Sequence, residues 1–353
     1  MAELSLETID ALADHIIDHS RAATQAAIAR LPDGIYQAAM TLDGYESPIQ
    51  LRADLKIAGD QLTVDYAGSS PASAFGINSP KCYTDAYSVY GLKCLVAPSV
   101  PNNAGSLEPF LISAPSGSIV NPARPSPVTA RHVIGQMLPD LMFGCLSDAL
   151  KGNVPAESFG SIWVMAMGNA ANAPDVRCHF NTMSVGLGGT GARPTKDGLS
   201  TTAFPSGIGG IPVEVTESQT PLVFWSKEFL PDSGGVGEFR GGLSQRIVIG
   251  DRDGRAFECN AATFDRLVNA ARGRRGGGNG AVGRVSIEHA GKSEKFVGKG
   301  TIRVPAGGRL VVDLPGGGGF GNPLERAREA VQTDLEFGRI TKDAADRLYG
   351  LRC

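Results

Sequence analysis

The sequence predicts an α+β protein: glycine-rich mixed or antiparallel sheets flanked by long helices, with a C-terminal helical hairpin. Three observations carry that expectation. Apolar residues recur at helical spacing near the N-terminus, short alternating apolar and polar runs separated by glycine fill the centre, and two short helical patterns flank Gly338 near the end. The pattern divides into a helix, small sheet and helical region over 1–155, a glycine-rich β region over 156–320, and the helical hairpin over 321–353.

From Leu4 to Ala29, apolar positions at Leu6, Ile9, Leu12, Ile16 and Ile17 define one amphipathic helix. His15 and His19 lie one turn apart within it, the spacing of zinc-binding helices. That chemistry also needs a third ligand and a glutamate, so a solvated helix face is the reading adopted. Ile49 to Ile57 and Gln61 to Tyr66 alternate as strands about the turn Ala58-Gly59-Asp60. Gly68-Ser69-Ser70 then offers either a backbone cradle for an anion or a turn capped by its hydroxyls.

A helix starting at Asn78-Ser79-Pro80 carries Tyr83, Tyr87, Tyr90, Leu92 and Leu95. Cys94, beside Lys93, is a packed thiol or one of lowered pKa. In Pro101-Asn102-Asn103-Ala104-Gly105, two neighbouring amides close to a glycine can orient a polar ligand from donor and acceptor sides, or simply form a turn. A second long helix over Val128 to Leu150 contains Pro139, which is expected to kink or split it; His132 near its start is read as structural. Strands follow at Ser161 to Met167 and His179 to Val185, the latter running into the loop Gly186 to Pro194. Glu214 and Glu217 are read on a strand, and Arg272, Arg274 and Arg275 as an exposed loop able to meet an anion.

The chain has 353 residues and a formal charge of −3, with scattered lysines and arginines. That charge gives no footprint for nucleic acid, and no apolar run is long enough to span a membrane, so neither is an expected partner. No basic segment leads into an apolar one at the N-terminus, which makes the cytoplasm the expected compartment. Cys82, Cys94, Cys145, Cys178, Cys259 and Cys353 are too dispersed for a zinc site or a disulfide framework and read mostly as reduced core residues.

The most informative stretch is Pro231-Asp232-Ser233-Gly234-Gly235-Val236-Gly237-Glu238-Phe239-Arg240-Gly241-Gly242, with five glycines between positions 234 and 242. A flexible linker would not set one arginine between glycines and lead directly into an apolar alternating run, so this is a shaped turn. Gly188 and Gly189 imply a second close approach of backbone to something. Asp197, Glu214 and Asp232 are the local carboxylates able to orient substrate or assist acid/base chemistry, with salt bridges to Arg193 and Arg240 as the competing reading. The tetraglycine Gly316 to Gly319 lacks the Gly-Lys-Ser/Thr of a phosphate loop, which excludes a nucleotide site there. Asn322-Pro323-Leu324-Glu325 reads as a capped helix start, with Glu325 placed for reciprocal capping.

Pro-Asp-Ser-Gly-Gly-x-Gly-x-x-Arg-Gly-Gly resembles the signature of the hydantoinase B/5-oxoprolinase family. Leu31 to Tyr36, Leu62 to Ser70, Leu92 to Leu95, Pro101 to Gly105, Gly188 to Arg193, Pro212 to Glu217 and Pro315 to Glu325 agree with it in order. The resemblance implies the C-terminal portion of a B-type subunit of an ATP-dependent cyclic-amide hydrolase. A hydantoinase A-type partner would bind ATP and Mg and activate the lactam or imide by phosphorylation. The residues' own chemistry, beside the resemblance, makes Asn102, Asn103, Gly105, Gly188, Gly189 and Arg240 the expected substrate contacts and Asp197, Glu214 and Asp232 the catalytic candidates. No cofactor is expected to be bound firmly by this chain. The family's N-terminal region, with His-Leu-Pro-Asp and His-His-x-Asp motifs resembling metal ligands, is expected to be absent here or supplied as a separate B-type piece. A divalent metal would come only with that region. The alternatives are a subunit of an ATP-dependent acetone/acetophenone-type carboxylase and a non-catalytic assembly module. Phe204 to Gly210 departs from the family pattern, so substrate choice is expected to differ.

Overall fold

The computed structural model describes residues 8–170 and 179–351. Two compact units emerge. One combines the residues up to Met40 with Gln50–Arg131 and Leu138–Val154; the other combines Thr41–Ile49, His132–Met137 and the chain from Pro155 onward.

The first unit contains α1 (Asp10–Ile28), β1 (Gly34–Leu42), β2 (Ile49–Ala58), β3 (Gln61–Asp65), α2 (Lys81–Val96), α3 (Ala104–Leu107) and β4 (Phe110–Ser113). Strand β2 buries Leu51, Ala53, Leu55 and Ile57 on one face, as its alternation predicts. The sheet order is β1-β2-β3-β4; β2 and β3 are antiparallel, whereas β3 and β4 are parallel, so this sheet is mixed. Pro139 splits the predicted long helix completely. It yields the short α4 (His132–Gly135), in the second unit, and α5 (Leu138–Ala149), in the first. Placed in the first turn of α5, Pro139 breaks no helical hydrogen bond, because an N–H there has no partner to lose. A Cβ at Gly91 would lie 2.7 Å from the Pro139 Cα, so α2 and α5 meet there with no side chain between them.

The second unit contains β5 (Trp163–Asn169), β6 (Asn181–Gly186), α6 (Val213–Gln219), β7 (Leu222–Phe229), β8 (Gln245–Asp251), β9 (Phe257–Asn260), β10 (Arg284–His289), β11 (Lys292–Phe296), β12 (Thr301–Val304) and β13 (Arg309–Asp313). They form sheets of order β11-β10-β13-β8-β7 and β12-β9-β5-β6, each antiparallel throughout. Trp163, Met165, Phe257 and Ile302 from one sheet and Ile247, Ile249, Val285, Leu310 and Val312 from the other share a single buried core.

Glu214 and Glu217 prove to be helical, on α6, rather than on a strand. Pro212 pre-sets the entry, and Glu214 in the first turn favours the positive end of the helix dipole, which outweighs the alternation of the sequence. The predicted helix from Asn322 is interrupted as well. Asn322 caps a 3₁₀ turn, Pro323–Glu325, through Leu324 N (3.1 Å), Arg326 is extended, and α7 (Arg328–Glu336) begins beyond it. A left-handed Gly338 (φ 65°) then leads to Thr341, which caps α8 (Lys342–Tyr349). Val331, Ile340, Ala344, Ala345 and Tyr349 form the hairpin's own apolar core.

Candidate functional site

The glycine-rich segments 188–192, 233–242, 271–280 and 315–321 belong to neither sheet. They run beside one another and exchange backbone hydrogen bonds: Gly235 N to Gly317 O (2.8 Å), Gly317 N to Gly242 O (3.1 Å), Gly242 N to Thr190 O (2.9 Å) and Gly319 N to Gly278 O (2.9 Å). A Cβ at Gly316 would stand 1.7 Å from Ser233 O, at Gly189 1.8 Å from Gly242 O, and at Gly317 1.9 Å from Thr190 O. The glycines therefore exist so that backbone can touch backbone.

One buried cluster of charges locks this framework to the C-terminal hairpin. Asp334 of α7, 1% exposed, accepts Arg240 Nε (3.1 Å), Arg326 Nη2 (2.7 Å) and Arg339 Nη1 (3.2 Å). Asp197 accepts both Arg326 Nη1 and Nη2 at 2.7 Å, and the Arg240 backbone N at 2.8 Å. Burial alone would raise the Asp197 pKa; the hydrogen bonds and charge of Arg326, with those of Arg240, more than offset it and hold the carboxyl below its ordinary value. Tyr349, beside the cluster, is pushed up to about 12 by burial. A second buried carboxylate, Glu157, is held down by Arg266 and Arg272 against the opposing effect of burial.

A different kind of surface lies in the first unit. Along α2, a cleft of about 820 Å³ is lined by Asp85, Ala86, Val89, Tyr90, Lys93 and Cys94, and closed by the segment from Ala97 to Leu107. Its volume suits a small organic molecule. Lys93, 7% exposed, donates to Val100 O (2.6 Å) and Asn102 Oδ1 (2.6 Å). Burial lowers the Lys93 pKa and raises that of Cys94; it pushes Tyr90 up to about 12. Cys94 is thus a half-buried, protonated thiol, and the lowered-pKa reading is not met.

The residues singled out by sequence divide between these two regions. Asn102 faces the cleft with its amide held by Lys93. Asn103 caps α3 through Ser106 N (3.0 Å) and donates to Ser20 Oγ (2.8 Å), which occupies both ends of its amide. Gly105 admits α1, since a Cβ there would lie 2.0 Å from Ile17 O. Gly188 and Gly189 are enclosed by Pro315, Phe159 and Gly242. Asp232, at φ 57°, accepts from Thr341 N (2.9 Å) and so joins the glycine turn to α8. Glu214 is exposed on α6.

Arg193 contacts the backbone of Asp197 rather than its carboxylate (Nη2 to O, 2.6 Å). Arg272 and Arg274 are not a loose anion-binding loop: they are tied to Glu157 (Nε to Oε1, 2.6 Å) and Pro155 O (2.8 Å). Ser69 and Ser70 spend their hydroxyls on Arg52 N (3.0 Å) and Gln50 N (2.9 Å), which makes their loop a capped turn. The imidazoles of His15 and His19 stack at 6.1 Å, and among the described residues no three His, Cys, Asp or Glu side chains gather as metal ligands. Cys82, Cys94, Cys145 and Cys259 take part in no disulfide; Cys178, Cys353 and residues 4–7 of the predicted first helix lie outside the described residues. Arg326 and Asp334, which organise the cluster, carried no sequence signal, because each sits among charges that read as a solvated helix face.

An α+β chain with a glycine-packed framework, an antiparallel two-sheet unit and a helix-lined cleft defines the class. The hydantoinase B/oxoprolinase family model matches residues 1–323, and the chain belongs to that family. It is 30% identical to the B-type subunit of a D-/L-hydantoinase from Pseudomonas sp. (strain NS671), over 98% of this chain and 60% of that protein. The beta chain of the caprolactamase of Pseudomonas jessenii is 26% identical over 93% of this chain and 58% of its own length. The chain thus spans about 60% of these two relatives, and 22% of the 5-oxoprolinase of Saccharomyces cerevisiae. The crystal structure of the ATP-dependent caprolactamase from Pseudomonas jessenii superposes with a TM-score of 0.84, covering all of this chain and 62% of that one at 22% identity. Nucleotide-free acetone carboxylase superposes at 0.77 over 95% of this chain and 51% of its own, at 19% identity. Among the described residues no helix is long and apolar enough to cross a membrane.

Proposed function

We propose that this chain is the C-terminal portion of a B-type subunit in an ATP-dependent cyclic-amide hydrolase, acting with an A-type partner. The observation that carries this reading is the family match over residues 1–323, together with relatives named for hydantoin, 5-oxoproline and caprolactam chemistry. A ring amide is a poor electrophile. ATP on the partner would phosphorylate the carbonyl oxygen and leave as ADP; one water adds to that carbon and the C–N bond breaks, the nitrogen taking a proton, which leaves an acyl phosphate that a second water hydrolyses to the carboxylate and phosphate. In the first unit we assign ligand contact to Asn102; in the second unit, taken by itself, the exposed Glu214 is the acid/base candidate. Asp197, Asp232, Arg240, Gly188 and Gly189 then act as shape-giving residues of the framework.

The test is ATP-dependent ring opening of 5-oxoproline, hydantoin and ε-caprolactam, followed by ADP release and product formation. It compares the chain alone with the chain co-expressed with an A-type partner and an N-terminal B-type piece. Turnover confined to the assembled complex supports the proposal, and Glu214→Gln is then expected to lower kcat at least tenfold at unchanged Tm. A stable complex that opens none of the three rings sinks it and favours an assembly module. The likeness to acetone carboxylase supports one other reading, ATP-dependent carboxylation of a ketone, which bicarbonate-dependent consumption of acetone would reveal.

A further inference from the structure

Lys93 poses a problem that its own hydrogen bonds do not solve. An ammonium carries three N–H donors; Val100 O and Asn102 Oδ1 take two of them, and both are neutral. At 7% exposure the residue is largely withdrawn from water and its two hydrogen bonds are part-buried, yet among the described residues no carboxylate pairs with it. Asp85, the carboxylate of the same cleft, is engaged by Lys81 at 2.5 Å, and burial is the larger influence on the Lys93 proton, against a smaller opposing one from Cys94. A withdrawn cation normally has an anion at hand.

The cleft in front of it supplies the shape for one. Asp85, Val89 and Lys93 follow at i, i+4 and i+8, one face of α2, so a carboxylate and an ammonium stand two turns apart, about 12 Å along the axis. Val89, Val100 and Leu107 provide apolar wall near them. Asn102, exposed at the mouth, has its Oδ1 fixed by Lys93, which orients its NH₂ group as a further donor.

We infer that the α2 cleft binds a small carboxylate with an apolar body, the Lys93 ammonium being the counter-charge of the carboxylate and Asp85 facing the far end. An amino acid whose amine and carboxylate are separated by several methylenes matches this polarity, as does a lactam that bears a carboxylate. That choice of ligand class rests on the proposed function, since ring opening turns an amide into an amine and a carboxylate; the binding itself needs neither ATP nor a partner.

Calorimetric titration of the full chain with 6-aminohexanoate, 5-oxoproline, hexanoate and ε-caprolactam tests the site. The three acids are expected to bind, and ε-caprolactam, lacking a carboxylate, at least tenfold more weakly. Lys93→Met should weaken the acids roughly thirtyfold or more, as loss of one member of a buried charge pair does. Should Lys93→Met fail to fold, Val89→Trp keeps the ammonium, fills the cleft and is expected to abolish binding. A preference for 5-oxoproline over 6-aminohexanoate assigns the site to substrate, and the reverse to product. Equal binding of ε-caprolactam and the acids, or binding indifferent to both substitutions, overturns the inference, as does no binding at all. Turnover of cyclic amides by the assembled complex without acid binding would remove this site and leave the proposed function standing; acid binding without turnover would do the opposite.

Discussion

The glycine framework and the α2 cleft invert what their sequences suggest. The framework, with five glycines between positions 234 and 242, looks like a surface shaped for a ligand, yet the glycines named above are filled by neighbouring backbone. The cleft is built from ordinary helical residues and holds about 820 Å³ of open space. Close approach by glycine is symmetric: it admits a ligand or another chain segment equally, and only the tertiary arrangement determines which. Buried charge behaves differently in the two places. Arginines of the framework meet Asp334 and Asp197, whereas Lys93 in the cleft meets only neutral oxygens.

The sharpest way to break this contrast is Asp334→Ala. It strips the shared anion from Arg240 and Arg326, whose side chains are 5% and 4% exposed. The expected loss of about 3–5 kcal/mol in urea unfolding is the cost of leaving two buried guanidinium groups with Asp197 alone as counter-charge. A loss near zero would mean that the cluster is hydrated and the framework is not locked by it.

Gly317→Ala comes next. Its methyl would meet Thr190 O at 1.9 Å and Thr190 C at 2.3 Å, neither of which can move without dragging the framework. Destabilisation of about 3 kcal/mol, the upper part of the usual overpacking range, is expected from thermal or urea melts. Ready accommodation would show that the segments are loosely stacked and open to a ligand after all.

Acid unfolding probes the same cluster through its proton linkage. The Asp197 and Glu157 carboxyls sit below their ordinary values of 3.8 and 4.5 in the folded protein. Their stabilising contribution is therefore complete above those values and is lost as pH falls through the lower folded-state ones. Urea midpoints measured from pH 6 down to pH 3 should fall steeply at the acid end for the parent chain and less so for Glu157→Gln or Asp197→Asn. Parallel curves would exclude both carboxyls from the linkage.

The smallest effect is the control. Gly209 has nothing within 4 Å of its notional Cβ, so Gly209→Ala should change stability by less than about 0.5 kcal/mol. A larger change would remove backbone contact as the explanation for the framework's glycines.

Sequence and structure agree where a local rule meets no opposition. The Ile49–Ala58 and Gln61–Asp65 hairpin, the break at Pro139, and the Gly338 and Thr341 punctuation of the last helices follow from alternation, a missing N–H and capping. Local rules misled where two of them competed: Val213 to Glu217 alternates like a strand, but Pro212 and the dipole preference of Glu214 make it a helix. The same limit applies to the candidate site. Asn102 was legible as a side-chain amide near a glycine, while its orientation depends on Lys93, nine positions earlier.

By itself the sequence determined the family, the α+β class and the positions where backbone must come close, because each is written in residue type and short-range spacing. Only the tertiary structure decided what comes close. Asp197 reaches Arg326 across 129 positions and Arg240 reaches Asp334 across 94, and no short-range pattern encodes a pairing at that separation. Tertiary packing likewise decided that the glycines face chain and that Lys93 faces a cleft, since burial is a property of the assembled elements rather than of the residue.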